Sequence, residues 1–234
     1  MARKTRVEPF AAAIAHLSYS DPDWARLIKQ IGPCGLQSKS EREPYEALIR
    51  AVAYQQLHGR AAAAITARFL ALYPDEAFPA PVNILATDEH ILRGCGFSAA
   101  KVTAIRGIAA KTLEGLVPMR SAALALSDEE IIERLVSLRG VGRWTVEMIL
   151  IFTLERPDVL PVDDFGVREG WRVLKSLAKQ PLPRELAKIG QAWSPYRSVA
   201  AWYLWQAANQ ARLKAKLKFL YEKSEYPRLY KPTA

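Results

Sequence analysis

The chain has 234 residues, half of them hydrophobic, enough for a sizeable core in one domain or in two small lobes. No apolar run reaches the length of a membrane span. Cys34 and Cys95, the only thiols, are too few for a disulfide framework, a four-cysteine zinc site or an iron–sulfur cluster. The formal net charge of +9 favours a polyanionic partner.

In chain order, the N-terminus is basic (Arg3, Lys4, Arg6), but no apolar stretch of signal-peptide length follows it. Tyr45, Leu48, Ile49 and Val52 fall at i, i+3, i+4 and i+7, which predicts an amphipathic helix ending near Gln55. Ile65, Phe69 and Leu72 continue that period in a second helix beyond Gly59. Ser98 reads as the cap of a helix that carries Val102, Ile105 and Ala109 and ends by Gly115. Ser127-Asp128-Glu129-Glu130 is a capping box, and Ile131, Ile132, Leu135 and Val136 give the helix it starts an apolar face. Gly140 and Gly142 end that helix in a tight turn, because glycine takes positive φ at no steric cost. A further helix starts near Arg143 and carries Val146, Ile149 and Leu150 into a core. The turn therefore leaves backbone N–H groups bare at a helix N-terminus, an arrangement that binds a phosphate oxygen.

Asp163 and Asp164 precede a helical stretch from Phe165 to Leu177, so one of the pair is expected to cap it, leaving the other to act. Ser194-Pro195 reads as the start of a last helix, with proline at its first position. Prolines at 74–81, 157–161 and 181–183 mark loops. There is no sustained strand-like alternation and no internal repeat. His16, His58 and His90 lack ligand spacing, so no metal held by side chains is expected. Arg212, Lys214, Lys216, Lys218, Lys223, Arg228 and Lys231 make the tail strongly basic.

The run Leu138-Arg139-Gly140-Val141-Gly142-Arg143-Trp144-Thr145-Val146, followed by Leu160-Pro161-Val162-Asp163-Asp164-Phe165-Gly166-Val167, resembles the helix-hairpin-helix, Gly/Pro-Asp superfamily of DNA base-excision glycosylases. The order is most similar to the alkylation-repair branch, the 3-methyladenine DNA glycosylase II type. Three more stretches resemble that branch: Gln55-Gln56-Leu57-His58-Gly59, Gly96-Phe97-Ser98-Ala99-Ala100-Lys101, and Trp193-Ser194-Pro195-Tyr196-Arg197-Ser198 with the Trp202-Tyr203-Leu204-Trp205 that follows. The resemblance implies an all-α fold of two helical lobes with a cleft between them and a helix-hairpin-helix motif. One lobe would run over 46–157 and the other over 1–45 plus 158–234. The extra N-terminal β-domain of larger relatives is not expected.

The same resemblance implies roles. Asp164 is the expected catalytic carboxylate, stabilising the positive charge that develops on the sugar and orienting water. Trp144, Trp205, Phe165 and Met148 are the expected base pocket, whose aromatic faces suit a cationic alkylated purine. Leu57 is the expected wedge into the base stack, with Gln56 and His58 beside it. Gly140, Gly142, Arg143 and Thr145 are the expected phosphate contacts, and Lys101 reads as another or as a solvated side chain. Trp144 stands where strand-cutting relatives carry a lysine, so a monofunctional glycosylase is expected. No cofactor is implied beyond a monovalent cation on the hairpin's backbone carbonyls. The expected partner is double-stranded DNA with damaged bases, met by a monomer in the cytoplasm (nucleoid-associated) or nucleus, with no membrane. Two other readings are a glycosylase for oxidised, deaminated or mismatched bases, and a non-catalytic binder of distorted DNA.

Overall fold

The computed structural model describes residues 10–223. The basic residues Arg3, Lys4, Arg6, Arg228 and Lys231 lie outside them. The described residues form thirteen α-helices and no strand. In order these are α1 (Ala11–Ser20), α2 (Pro22–Ile31), α3 (Pro44–Tyr54), α4 (Gly59–Leu70), α5 (Pro81–Ala86), α6 (Glu89–Gly94), α7 (Ala99–Leu113), α8 (Arg120–Leu124), α9 (Asp128–Val136), α10 (Arg143–Phe152), α11 (Phe165–Leu174), α12 (Pro183–Ile189) and α13 (Arg197–Lys223). A 3₁₀ turn, Gly190–Trp193, follows α12. The chain divides into two compact units, Gln37–Arg156 and Met1–Leu36 with Pro157–Ala234.

In the unit Gln37–Arg156, starts and stops follow local chemistry. Pro44 opens α3 at a position where a missing amide costs nothing. The Ser98 hydroxyl accepts from the Lys101 amide at 3.3 Å to cap α7. Ser127 and Glu130 close their reciprocal capping box on α9, with the Ser127 amide 2.7 Å from the Glu130 carboxylate. Leu48, Ile49, Val52, Phe69, Ile105, Ile108, Ile131, Leu135, Val146 and Leu150 fill the core. Val136 and Leu72, expected on apolar faces, are exposed instead. α4 stops at Leu70, so Leu72 sits in the turn beyond it and Tyr73 takes the buried place.

The other unit packs α1, α2, α11, α12 and α13 around Leu17, Trp24, Trp171, Leu186, Trp193, Tyr203 and Leu204. The three indoles cluster with ring centroids 5.1–6.3 Å apart, edge-on or tilted as aromatic pairs prefer. α11 and α13 lie in close contact because residue 170 is glycine: a Cβ there would stand 2.0 Å from the Leu204 carbonyl oxygen. Two expected boundaries shift. α11 ends at Leu174 rather than Leu177, since Ser176 takes φ +50°, which a helix cannot continue through. α13 begins at Arg197, not at Pro195. The Ser194 hydroxyl and the Arg197 amide both donate to Asp158, which holds these residues in a turn ahead of the helix.

Candidate active site

The loop that brings the chain to Asp164 is anchored at its start. Ser198 is buried, and its hydroxyl accepts from the Val159 amide at 3.1 Å. The Arg197 guanidinium holds Asp158 through two bonds of 2.7 and 2.9 Å. Burial opposes ionisation of Asp158, but donors from Arg197 and Ser194 outweigh it and hold the carboxyl below its ordinary value. The Trp-Ser-Pro-Tyr-Arg-Ser stretch is therefore a fixture for residues 157–159, a few positions upstream of the acidic pair.

Asp164 itself is the N-cap of α11. Its Oδ1 accepts from the Val167 amide at 2.8 Å and from the Trp205 indole N–H, also at 2.8 Å. Two donors on one oxygen fix the carboxylate's plane. Capping was expected of one aspartate and chemistry of the other; in the structure the cap is Asp164, while Asp163 is exposed. Gly166 permits the arrangement, because a Cβ there would lie 2.8 Å from Trp205 Cδ1 and 3.1 Å from Asp164 Oδ1. Phe165 beside it is 68% exposed and offers a bare ring. Asp164, Phe165 and Trp205 thus come together, and Trp205, expected only as a pocket wall, also positions the carboxylate.

The hairpin belongs to the other unit. Gly140 takes φ +80°, with Leu138 and Val141 buried on either side. Gly142 is the N-cap of α10, and no side chain caps that helix. Nothing stands within 4 Å of where a Gly142 Cβ would be, so the first amides of α10 are sterically open. Arg143, expected on a phosphate, has its guanidinium on Glu129 at 2.9 and 3.1 Å and on Glu147 at 3.2 Å. Thr145 is 4% exposed and lines a cavity of about 290 Å³ with Tyr54, Met148, Phe152 and Arg50, so the contact it can offer a phosphate is its backbone amide in the first turn of α10. Met148 lines the same cavity, which includes none of Trp144, Phe165 and Trp205. Trp144 stands on the outer side of α10, 47% exposed.

The turn between α3 and α4 carries Gln56, Leu57 and His58, all exposed, with Leu57 at 39%. Gln56 takes φ +56° within this turn. Two tethers hold it. The Gln55 side-chain amide donates to the Gly140 carbonyl at 2.9 Å, tying the turn to the hairpin. The Lys101 ammonium donates to the Ala53 and Gln55 carbonyls at 2.8 and 2.7 Å. Lys101 is thus neither a phosphate contact nor solvated but a cap on the end of α3, and desolvation lowers its pKa. Neither tether is visible in sequence spacing, because donor and acceptor are 46 or more residues apart.

Comparison with known proteins places this geometry. Residues 49–195 match the HhH-GPD superfamily of base excision DNA repair proteins. The chain is 46% identical over 206 residues to DNA-3-methyladenine glycosylase 1 of Schizosaccharomyces pombe, covering 88% of this chain and 90% of that one. It is 39% identical over 198 residues to the alkylbase DNA glycosidase-like protein mag2 of the same yeast, covering 84% and 93%. Among solved structures, S. pombe 3-methyladenine DNA glycosylase (Mag1) in complex with abasic DNA superposes with a TM-score of 0.77 at 47% identity, over 84% of this chain and 96% of that one. The chain belongs to the HhH-GPD superfamily of base excision DNA repair proteins.

Proposed function

We propose that this protein is a DNA glycosylase that hydrolyses the N-glycosidic bond of alkylated, 3-methyladenine-type bases in duplex DNA. The observation that carries the reading is the Asp164 carboxylate, locked by the Val167 amide and the Trp205 indole at the start of α11. As the bond breaks, positive charge grows on the deoxyribose, and a carboxylate held in one orientation stabilises it without reorganising. The same carboxylate orients the attacking water and takes its proton. An alkylated base is already cationic, so it leaves without a strong general acid, and the exposed rings of Trp144 and Phe165 are suited to its charge. Leu57 fills the gap left by the extruded base, and the uncapped amides of α10 take a backbone phosphate. Trp144 offers no amine for a Schiff base, so the product is an abasic site on an uncut strand. The relatives named for 3-methyladenine, and the solved relative bound to abasic DNA, support both substrate class and product.

Asp164→Asn tests the mechanism cleanly. Asparagine keeps the capping oxygen and its two donors, so the fold stays intact and only the charge is lost. Base release from methylated DNA, followed by identifying the freed bases, is expected to fall by about a hundredfold or more. Affinity for a duplex carrying an abasic analogue is expected to persist. Full activity in the variant removes the mechanism.

A further inference from the structure

α13 does more than deliver Trp205. From Arg212 to Tyr221 every residue of the helix is exposed, so this end stands clear of the unit's core. The stretch carries Arg212, Lys214, Lys216 and Lys218, and the sequence holds no acidic residue from Leu186 to Tyr221. Seven and eleven residues separate Trp205 from Arg212 and Lys216, two and three helical turns, so all three share one face of α13. The two cations lie about 10 and 16 Å along the axis from the indole that holds Asp164. Beside α13 runs a groove of about 430 Å³, walled by Phe165 and Gly166 at the start of α11 and by Ala208, Arg212 and Ala215 of α13, with Lys216 the next residue beyond Ala215. Alanines at 208 and 215 keep it open. The acid on its wall, Glu169, is bonded to Arg172 at 2.7 and 2.9 Å.

We propose that this groove is a second track for the DNA backbone, leading away from Asp164 along α13, with Arg212 and Lys216 on its phosphates. The proposal rests on the reading of the protein as a DNA glycosylase only in taking DNA as the partner. A strand brought to Asp164 must pass Phe165 and Gly166, and the surface that continues from them is cationic and concave. Contacts of this kind position a duplex without reading its sequence. They add to affinity through counterion release, which has a measurable signature.

The test uses the full chain and an undamaged duplex, with affinity measured across a series of salt concentrations. Arg212→Gln/Lys216→Gln is expected to flatten the slope of log K against log salt by about 1 to 2, the release belonging to two phosphates. Glutamine is a good helix former, so α13 persists. Arg184→Gln/Lys188→Gln removes the same charge from exposed positions at α12, away from the groove, and is expected to leave the slope nearly unchanged. Arg212→Lys/Lys216→Arg restores it. A slope in the groove variant equal to wild type, or equal to that of the α12 variant, overturns the proposal; an acidic protein would then be the better occupant for this face. Undamaged DNA keeps the two readings apart, since failure of base release would sink the glycosylase and leave the slope result standing.

Discussion

At the residue scale, the smallest side chain near Asp164 constrains the most. Gly166 sits where any Cβ would press on Trp205 Cδ1 at 2.8 Å and on Asp164 Oδ1 at 3.1 Å. Position 166 lies in the first turn of a helix, where alanine is otherwise favourable. Gly166→Ala is therefore expected to leave the protein folded but to push the indole off the carboxylate. A hydrogen bond to a charged group is worth about 1.5–3 kcal/mol, so base release is expected to slow by about tenfold or more. Affinity for abasic-analogue DNA should change little. Trp205→Phe, which keeps a ring and removes the N–H, separates the two parts of that residue. If both variants release base at the wild-type rate, Trp205 is only a wall and does not orient Asp164.

At the element scale, the hairpin is a turn whose two glycines differ in kind. Gly140 needs its positive φ, whereas Gly142 has φ −99° and open space around it, so the free protein tolerates alanine there. Gly142→Ala is expected to unfold at the wild-type temperature yet to bind damaged and undamaged duplexes about tenfold more weakly, since a methyl would stand between the α10 amides and a phosphate. Unchanged affinity on both duplexes would refute a role for those amides. Elements of this kind are legible in sequence wherever their determinants are local: the capping box Ser127–Glu130, the Ser98 cap and the glycine turn each act within a few residues. What sequence does not disclose is long-range. The Lys101 ammonium reaches back to the carbonyls at the end of α3, Gln55 reaches the Gly140 carbonyl, and Asp158 draws in Ser194 and displaces the start of α13 to Arg197. The burial of the Thr145 side chain is hidden for the same reason, because its place in the first turn of α10 does not say which way the helix rolls against α3. Asp164 shows a third case: the acidic pair alone leaves the choice open and the family resemblance singles out the residue, but the two donors that orient it come from its own cap and from Trp205, 41 residues on.

At the scale of the whole molecule, the charge balance sets the response to acid. The protein carries +9 while depending on carboxylates that are held by donors in both units. Glu129 is bonded by Arg143, Glu130 by Ser127 and Glu169 by Arg172; donors from Arg197 and Ser194 hold Asp158 against the opposing effect of burial. Each of these four titrates below its ordinary value in the folded chain, so the unfolded chain binds protons first as pH falls. Their contribution to stability is fully present above the ordinary values, 3.8 for the aspartate and 4.5 for the glutamates, and is lost as pH drops through the lower folded values. Every proton taken up also raises a net charge that is already positive, which adds self-repulsion. The urea midpoint is therefore expected to hold steady from neutral pH to about pH 5 and to fall progressively below it. Asp158→Asn should cost about 1–2 kcal/mol at neutral pH, the worth of charge-assisted bonds at a partly exposed site. It should also flatten the acid limb, because one of the four titrating groups is gone. Chemical denaturation of both proteins at a series of pH values reads this directly. Parallel acid limbs would mean that Asp158 does not serve as the ionised anchor of the loop leading to Asp164.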